Sequence, residues 1–383
     1  MRVRSVPVSA DAIGKCTATV VRGVDGHTVL VGAGTELSAG DIEAMMQRGV
    51  ARVWVRDELF PEFEERSLVP ETLREQAKGI LRELFASLRE SAGKPTSGQA
   101  RALAACVRTL VDEIEANRDE VANIRPAQRW DDYALEHAVN VAATAILVGR
   151  DLGLSRTRLL RLGAGALLHD IGAAALPSRV LQKQGTLSPT EVEMVKQHPR
   201  RGWELVHTAF GNVMPSSAIV VLQHHERLDG SGYPAELRGD EIFIYSRIAS
   251  AADVLDALRS ERAHRRRFTP PETLRAMEEE AGSTLEAQVV KLLLRVVALV
   301  PEGSIVRLSN GQLAKVMVHN PGAPLQPVVT VVGSALDQPL PHRLQNLKHS
   351  GVRVEQICEE WPRALLERSR PRPLEGQHVA PLR

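Results

Sequence analysis

The sequence has few cysteines, few aromatic residues, almost no net charge and no long hydrophobic run. Its 3 cysteines lie far apart in 383 residues, and none belongs to a Cys-x-x-Cys pair. This spacing argues against a disulfide framework or a zinc knuckle and fits a reducing cytosol. Because aromatic residues make up only 3% of the chain, a sizeable core must consist mainly of leucine, valine, isoleucine and alanine.

Charge and hydropathy narrow the class of protein further. The formal net charge is +1 at pH 7, so no excess of charge favours binding to a nucleic acid polymer or an anionic membrane. The longest apolar stretch, residues 289–300, contains Lys291 and Arg295 and is too short to cross a bilayer. The first residues lack the apolar run of a signal peptide. We therefore expect a soluble cytoplasmic protein without a membrane partner.

The length predicts two or three domains, and local patterns divide the chain into five regions. We expect a small β-rich N-terminal module at residues 1–60, a helical linker or relay at 68–122, a central domain at 131–299, a small β-rich C-terminal extension at 301–360 and a disordered tail at 366–383. The predicted fold class is mainly α, with an all-helical central domain. The helices of the linker could support a homodimer or relay a signal, and ordinary packing onto the central domain is an equal alternative.

Turn and cap residues predict several local structures. β-branched runs at residues 17–21 and 28–31 flank a glycine-containing turn, which is typical of a hairpin. Ser188 is a candidate N-cap for a helix, and Pro199 predicts that this helix bends or restarts. Gly172 follows an apolar helix and is a natural place for it to end.

The central domain carries an unusual number of residues that can bind metals. Five histidines and two aspartates lie on or beside predicted helices: His137, His169, Asp170, His198, His224, His225 and Asp253. Taken alone, His137 is more typical of a hydrogen-bonded core histidine, and a His-Asp dipeptide occurs often by chance. Adjacent histidines next to an apolar run are costly unless they are hydrogen-bonded or bound to a metal.

Taken together, the seven residues form a mixed nitrogen and oxygen donor set. Such a set suits iron, manganese or zinc and suits magnesium or calcium poorly. Seven ligands exceed one tetrahedral site and match two metals bridged by a carboxylate and a water. Two divalent metals that share an activated hydroxide are best suited to hydrolysis of a phosphodiester.

These seven residues resemble the ligands of the HD-GYP domain, a branch of the HD phosphohydrolase superfamily, and the run from His225 to Pro234 resembles its glycine-tyrosine-proline loop. The resemblance implies an all-helical domain that hydrolyses the bacterial second messenger cyclic di-GMP to pGpG, GMP or both, using two divalent metals, iron or manganese. It implies metal binding by all seven residues, with His169 and Asp170 central to catalysis.

The resemblance also implies a substrate site. Arg262 and Arg265 would contact the substrate phosphates, a role suited to guanidinium groups. Tyr233, Gly232 and Asp229 would shape the nucleotide pocket. The implied partners are the cyclic dinucleotide, other cyclic di-GMP signalling proteins and a second copy of the chain.

Two positions depart from the HD-GYP pattern. Ala173 stands where the family usually has a lysine, which removes a fixed positive charge that would stabilise the transition state. Tyr133 stands where members with a third metal have a glutamate, so two metals are expected. The first departure leaves an alternative open, namely a weak or inactive relative that binds cyclic di-GMP or a signalling partner. An HD hydrolase that acts on another phosphoester is a further alternative.

Overall fold

The computed structural model describes most of the chain in two compact units. The described residues are 3–17, 21–22, 28–32, 34–50, 52–57, 59–60, 67–91, 96–117, 124, 133–181, 183, 185–210, 214–260, 266–358, 360–362 and 365. One unit is rich in β structure and comprises residues 1–65, 302–318 and 326–383, and the other is helical and comprises residues 66–301 and 319–325. The two ends of the chain, which the sequence suggested as separate modules, thus belong to one unit.

The β-rich unit combines two short ladders with a larger antiparallel sheet. Its elements are β1 Val3–Pro7, β2 Val21–Arg22, β3 Val29–Val31, α1 Ala39–Gln47, β4 Arg52–Arg56, β5 Ile305–Leu308, β6 Leu313–Val318, β7 Val328–Gly333, β8 Pro339–Asn346 and β9 Val354–Cys358. Strand β1 pairs with β4 and β2 pairs with β3, while the larger sheet has the order β8-β7-β6-β5-β9. The hairpin predicted around residues 17–31 is confirmed by the pairing of β2 with β3.

The helical unit contains the whole candidate site. Its helices are α2 Glu71–Ser91, α3 Ser97–Ala116, α4 Tyr133–Asp151, α5 Arg156–Leu167, α6 Ser178–Leu181, α7 Pro189–Val195, α8 His198–Phe210, α9 Pro215–Gln223, α10 Ile244–Arg259, α11 Pro270–Glu280 and α12 Ala287–Val296. The prediction of a mainly α protein with an all-helical central domain is confirmed. Within the described ranges, no helix is long and apolar enough to cross a membrane.

Helix α4 lies at the centre of this unit. Every residue from 138 to 149 is buried, as expected for a helix that is covered on all sides. Apolar residues of α2 and α3, such as Leu81 and Leu110, belong to the same core as Val141 and Ile146 of α4. The two helices that precede the central domain therefore pack into its core. Because α4 is covered by these neighbours, the side chains that it carries, His137 among them, are held in fixed positions.

Caps fix the helix ends near the site. Ser188 accepts a hydrogen bond from the backbone N–H of Glu191, and the Glu191 side chain accepts one from the backbone N–H of Ser188. Helix α7 ends at Val195, and α8 begins at His198 with Pro199 in its first turn. Proline is tolerated there because the first helical N–H groups have no partner within the helix. The predicted N-cap and the predicted restart are both confirmed.

Candidate metal centre

The seven predicted ligands lie together in the helical unit. His137 is on α4, His169 and Asp170 follow α5, His198 begins α8, the pair His224-His225 follows α9, and Asp253 is on α10. Their donor atoms form two groups, in each of which all the atoms lie within 4.8 Å of one another. The four-residue group consists of Asp170, His198, His224 and His225, and the three-residue group consists of His137, His169 and Asp253.

The four-residue group is centred on one oxygen of Asp170. Asp170 Oδ1 lies 3.2 Å from His198 Nε2 and 3.7 Å from His224 Nε2. The two Nε2 atoms are 3.1 Å apart. Three donor atoms from three separate segments therefore converge on one small volume.

Two carboxylates connect this group with the three-residue group. The second oxygen of Asp170, Oδ2, lies 3.4 Å from His169 Nε2. Asp253 Oδ1 lies 3.1 Å from His137 Nε2, and its Oδ2 lies 3.7 Å from His225 Nδ1. Each aspartate thus directs one oxygen towards each group, which is the geometry of a carboxylate that can bridge two cations.

Backbone carbonyls orient three of the imidazoles in the same way. The Nδ1 atoms of His169, His198 and His224 lie 2.7, 2.8 and 2.9 Å from the carbonyl oxygens of Ala166, Val195 and Val221. Since a carbonyl only accepts hydrogen bonds, each Nδ1 carries the proton and donates it. The lone pair of each Nε2 is left to face the cluster, as in histidines that bind metals.

His169 provides the test of whether a metal fits here. Among the described residues, its buried Nε2 has no hydrogen-bond partner. A buried lone pair without a partner is costly, and a cation at this point would supply the missing interaction. The surrounding donors are imidazole nitrogens and carboxylate oxygens, a combination suited to divalent iron, manganese or zinc. The residues present therefore fit a divalent metal.

The aspartates remain ionised in this setting. Burial alone would raise the pKa of Asp170, but His169, His198 and His224 outweigh it and hold this pKa well below the ordinary value. Burial likewise opposes ionisation of Asp253, yet its hydrogen bond with His137 lowers its pKa on balance. At neutral pH the cluster therefore presents two carboxylates in the form that binds cations.

The neighbours of each histidine decide whether its pKa is lowered or raised. Burial lowers the pKa of His224 to about 4, and burial together with His224 lowers the pKa of His225 well below its usual range. These two rings are neutral at pH 7 and can donate lone pairs. Burial opposes protonation of His137 and His198 as well, but hydrogen bonds to aspartates raise the pKa of both. A metal bound to those two rings would replace a proton.

Sequence reasoning missed Asp256, which supports the cluster. Asp256 Oδ2 lies 2.7 Å from His137 Nδ1, and Asp256 is buried. This contact makes His137 a donor at Nδ1, leaving its Nε2 for a ligand, as in the carboxylate–histidine pairs of metal sites. Asp256 is three residues after Asp253, so both lie on one face of α10. That spacing is the signal by which the sequence could have revealed it.

The glycine-tyrosine-proline loop lies directly beside the cluster. The ring centroid of Tyr233 is 4.8 Å from that of His225 and 6.5 Å from that of His198. A Cβ at Gly232 would lie 2.5 Å from the His225 carbonyl oxygen, so only glycine fits here. Asp229 Oδ1 accepts hydrogen bonds from the N–H and hydroxyl of Ser231, and thereby shapes the loop itself.

Glu226 holds this loop from within the protein. It is 2% exposed, and its two oxygens accept hydrogen bonds from the backbone N–H groups of Ala235 at 2.7 Å and Leu237 at 3.0 Å. It lies one residue beyond the histidine pair, and its carboxylate is committed to these amides. The acidic residue of the His-His-Glu run therefore anchors the loop.

We expect Glu226→Ala to loosen the loop. Hydrogen bonds to a charged group contribute about 1.5–3 kcal/mol each, so the amides of Ala235 and Leu237 should exchange with solvent about 10- to 100-fold faster. Hydrogen exchange read by mass spectrometry checks this. Glu241→Ala is the control, since Glu241 also accepts from a backbone N–H, that of Arg238, but at an exposed turn. Unchanged protection of both amides in Glu226→Ala would contradict the anchoring role.

A family model described as an HD domain matches residues 109–289, a range that includes all seven candidate ligands. Residues 109–289 thus resemble an HD domain. The resemblance to the HD-GYP proteins is confirmed by relatives that are named as cyclic dinucleotide phosphodiesterases.

This chain spans less than two thirds of the length of each of three such relatives. A cyclic di-GMP phosphodiesterase of Pseudomonas aeruginosa is 33% identical over 250 residues, which are 63% of this chain and 59% of that protein. The cyclic di-GMP phosphodiesterase response regulator RpfG of Xanthomonas campestris is 35% identical over 206 residues, 52% of this chain and 54% of the relative. The 3'3'-cGAMP-specific phosphodiesterase 2 of Vibrio cholerae is 30% identical over 189 residues, 49% and 36% of the two chains.

Residue 173 is an alanine, so its side chain supplies no positive charge next to the candidate metal centre. Ala173 lies in the short 3₁₀ turn Ile171–Ala175, directly after the His-Asp pair. Lys183 lies 2.5 Å from Glu191 Oε2 at the start of α7. Its ammonium group is thus engaged with the cap of that helix. The predicted phosphate contacts Arg262 and Arg265 lie outside the described residues.

Proposed function

We propose that the HD domain is a metal-dependent phosphodiesterase that hydrolyses cyclic di-GMP to pGpG, GMP or both. One observation carries the proposal: the ligands form two adjacent groups, and Asp170 directs one oxygen to each. This arrangement supports two divalent metals, iron or manganese, held by His137, His169, Asp170, His198, His224, His225 and Asp253. The names of the relatives support a cyclic dinucleotide as the substrate.

A bound pair of divalent metals would lower the pKa of a water molecule and hold a phosphoryl oxygen. The residues of the chain prepare the site for this chemistry. Asp170 and Asp253 stay ionised because the histidines lower their pKa. The Asp170 side chain is 30% exposed and that of His225 is 20% exposed, whereas His169 and His224 are buried. The substrate would therefore approach from the side of Asp170 and His225.

The loop beside His225 would form one wall of the substrate pocket. Tyr233 presents an aromatic ring next to that histidine, and aromatic rings are suited to stacking against nucleobases. Gly232 brings the backbone close to the cluster, and Asp229 maintains the turn. We propose from the resemblance that Arg262 and Arg265 contact the phosphates. Cytoplasmic localisation and assembly with a second copy or with other cyclic di-GMP signalling proteins remain predictions from the sequence.

A catalytically weak or inactive protein that binds cyclic di-GMP or a signalling partner is the second candidate. It is favoured by Ala173 and by the commitment of Lys183 to Glu191. If the missing charge limits the rate, Ala173→Lys should raise kcat about tenfold or more, because electrostatic stabilisation of a transition state commonly contributes several kcal/mol. An unchanged kcat in a folded Ala173→Lys protein would show that this position does not limit turnover.

The deciding experiment is a hydrolysis assay on protein purified without oxygen and supplied with ferrous iron or manganese. Cyclic di-GMP and 3'3'-cGAMP are compared as substrates, and the metal content of the same sample is measured. We expect about two metals per chain, as in other two-metal hydrolases, and faster hydrolysis of cyclic di-GMP. Bound metal without turnover would favour the second candidate. Protein that takes up no metal would contradict the proposed ligand set.

A further inference from the structure

A chain of buried polar side chains connects the candidate metal centre with helix α2. It consists of His137, Asp256, Asn140 and Arg74, which are 2%, 3%, 0% and 4% exposed. His137 and Asn140 are one turn apart on α4, Asp256 is on α10, and Arg74 is on α2. Three helices that are separate in sequence therefore meet through one line of hydrogen bonds.

The donor and the acceptor of each hydrogen bond in this series of side chains follow from the functional groups involved. Arg74 donates to Asn140 Oδ1 at 2.7 Å, and Asn140 Nδ2 donates to Asp256 Oδ1 at 2.9 Å. Since a guanidinium only donates and a carboxylate only accepts, the Asn140 amide has one favourable orientation. The other oxygen of Asp256, Oδ2, accepts a hydrogen bond from the Nδ1–H of His137.

Arg74 lies outside the range that the HD family model matches. The family model begins at residue 109, whereas Arg74 lies in the first turn of α2, Glu71–Ser91. Its nearest described carboxylate oxygen, Glu136 Oε1, is 4.0 Å away, farther than its contact with Asn140. A buried arginine is costly unless its donors are used, and this one is directed at the residue that supports Asp256.

We propose that Arg74 is a positioning residue for His137, so that helix α2 controls the metal affinity of the three-residue group. Arg74 fixes the Asn140 amide, the amide fixes the Asp256 carboxylate, and the carboxylate holds the imidazole with its Nε2 lone pair towards Asp253 and His169. Without Arg74, Asn140 Oδ1 loses the donor that holds the amide at 2.7 Å, and the Asp256 carboxylate to which this amide donates is placed less firmly. The imidazole of His137 would then be held less firmly as well. The inference rests on the proposed metal binding of this group.

The first test measures metal binding in Arg74→Met. Manganese affinity is determined by competition with a chelator, which yields two binding constants per chain. Changing residues that support a metal ligand typically costs 10- to 100-fold in affinity, so we expect one constant to weaken about tenfold and the other to stay unchanged. Lys78→Met is the matched control, because Lys78 is a buried cation of the same helix that pairs with Glu75.

A second measurement follows His137 without any metal. Protein labelled with ¹⁵N-histidine should show a protected Nδ1–H signal for His137, because that proton is donated to a buried carboxylate. We expect Arg74→Met to shift this signal and accelerate its exchange with solvent, and Lys78→Met to leave it in place. If the wild-type protein takes up no metal, the proposed function fails, and this signal alone decides the positioning role.

A double variant tests the route through Asn140. If Arg74 acts through that amide, Asn140→Leu together with Arg74→Met should weaken manganese binding no more than Asn140→Leu alone. Should Arg74→Met fail to fold, Asp256→Asn tests the same line one step closer to His137, with an expected loss of 10- to 100-fold. The proposal is overturned if folded Arg74→Met matches Lys78→Met in both manganese constants and in the His137 signal.

Discussion

Asp170→Asn is expected to reduce kcat/KM for cyclic di-GMP by about a thousand-fold, the upper end of what one electrostatic contact contributes. The substitution preserves the shape of the side chain and removes its charge. The two oxygens of Asp170 face the two groups, at 3.2 Å from His198 Nε2 and 3.4 Å from His169 Nε2. An amide would present an N–H group to one of these lone pairs and could not bridge two cations.

Steady-state hydrolysis and metal content, measured on the same preparation, check this expectation. Asp151→Asn is the matched control, since Asp151 ends α4 and pairs with Arg150 and Arg295. Asp151 lies 14 positions after His137, which corresponds to about 21 Å of helix, so this carboxylate is remote from the cluster. Comparable activity of Asp170→Asn and the wild-type protein would contradict the bridging role.

Gly172→Ala is expected to destabilise the fold by about 3 kcal/mol and to displace His198, as overpacking of a tight core commonly does. An added Cβ would lie 1.9 Å from the His198 carbonyl oxygen and 2.5 Å from the Gly202 backbone nitrogen. Both neighbours are backbone atoms of α8, so the clash cannot be relieved by rotating a side chain. The turn that carries Asp170 and the helix that carries His198 would have to separate.

Thermal unfolding and metal content test this prediction together. The same substitution at Gly79 is the control, because Gly79 lies in α2 and an added Cβ there would meet nothing within 4 Å. Replacing a helical glycine by alanine in open space stabilises a helix by up to about 1 kcal/mol. The two variants should therefore change the unfolding temperature in opposite directions. A Gly172→Ala protein as stable as the wild type would show that α8 can yield.

The position of Gly172 also shows where the sequence interpretation was wrong. The glycine was expected to end the preceding helix, but α5 ends at Leu167 and Gly172 lies inside the following 3₁₀ turn. Its lack of a side chain matters because α8 passes against it. The residues of α8 that contact it, His198 and Gly202, lie far along the sequence from Gly172, so no local pattern reveals this close approach.

The predicted ligands could be recognised because their residue types and order carry the information. Their division into two groups could not, because it depends on how α4, α5, α8 and α10 pack. Asn140 and Arg74 were missed for the same reason, since each is an ordinary polar residue on a helix until Asp256 is placed beside it. Glu226 was read only as part of the loop motif, whereas its buried hydrogen bonds identify it as an anchor.

The architecture, too, could be predicted only where it depends on residues that are close in sequence. Cap residues and turn residues are local, so the N-cap of α7 at Ser188 and the hairpin of β2 and β3 followed from the sequence. The union of the two chain ends in one unit depends on contacts across the whole chain, such as the buried ion pair between Asp57 and Lys315. The residues next to Asp57 and Lys315 in the sequence give no indication of this pairing.

The enclosure of α4 has a consequence for how bound cations would leave the proposed metal centre. Amide protons in a helix buried on every side exchange mainly through global unfolding, and residues 138–149 of α4 are all buried. His137 thus lies at the start of a fully buried helical segment, and local opening of that segment is not expected to release a metal. A chelator would have to approach from the solvent side, where Asp170 and His225 are partly exposed. The rate of metal release would then depend on access at that side, while the core of the helical unit remains folded.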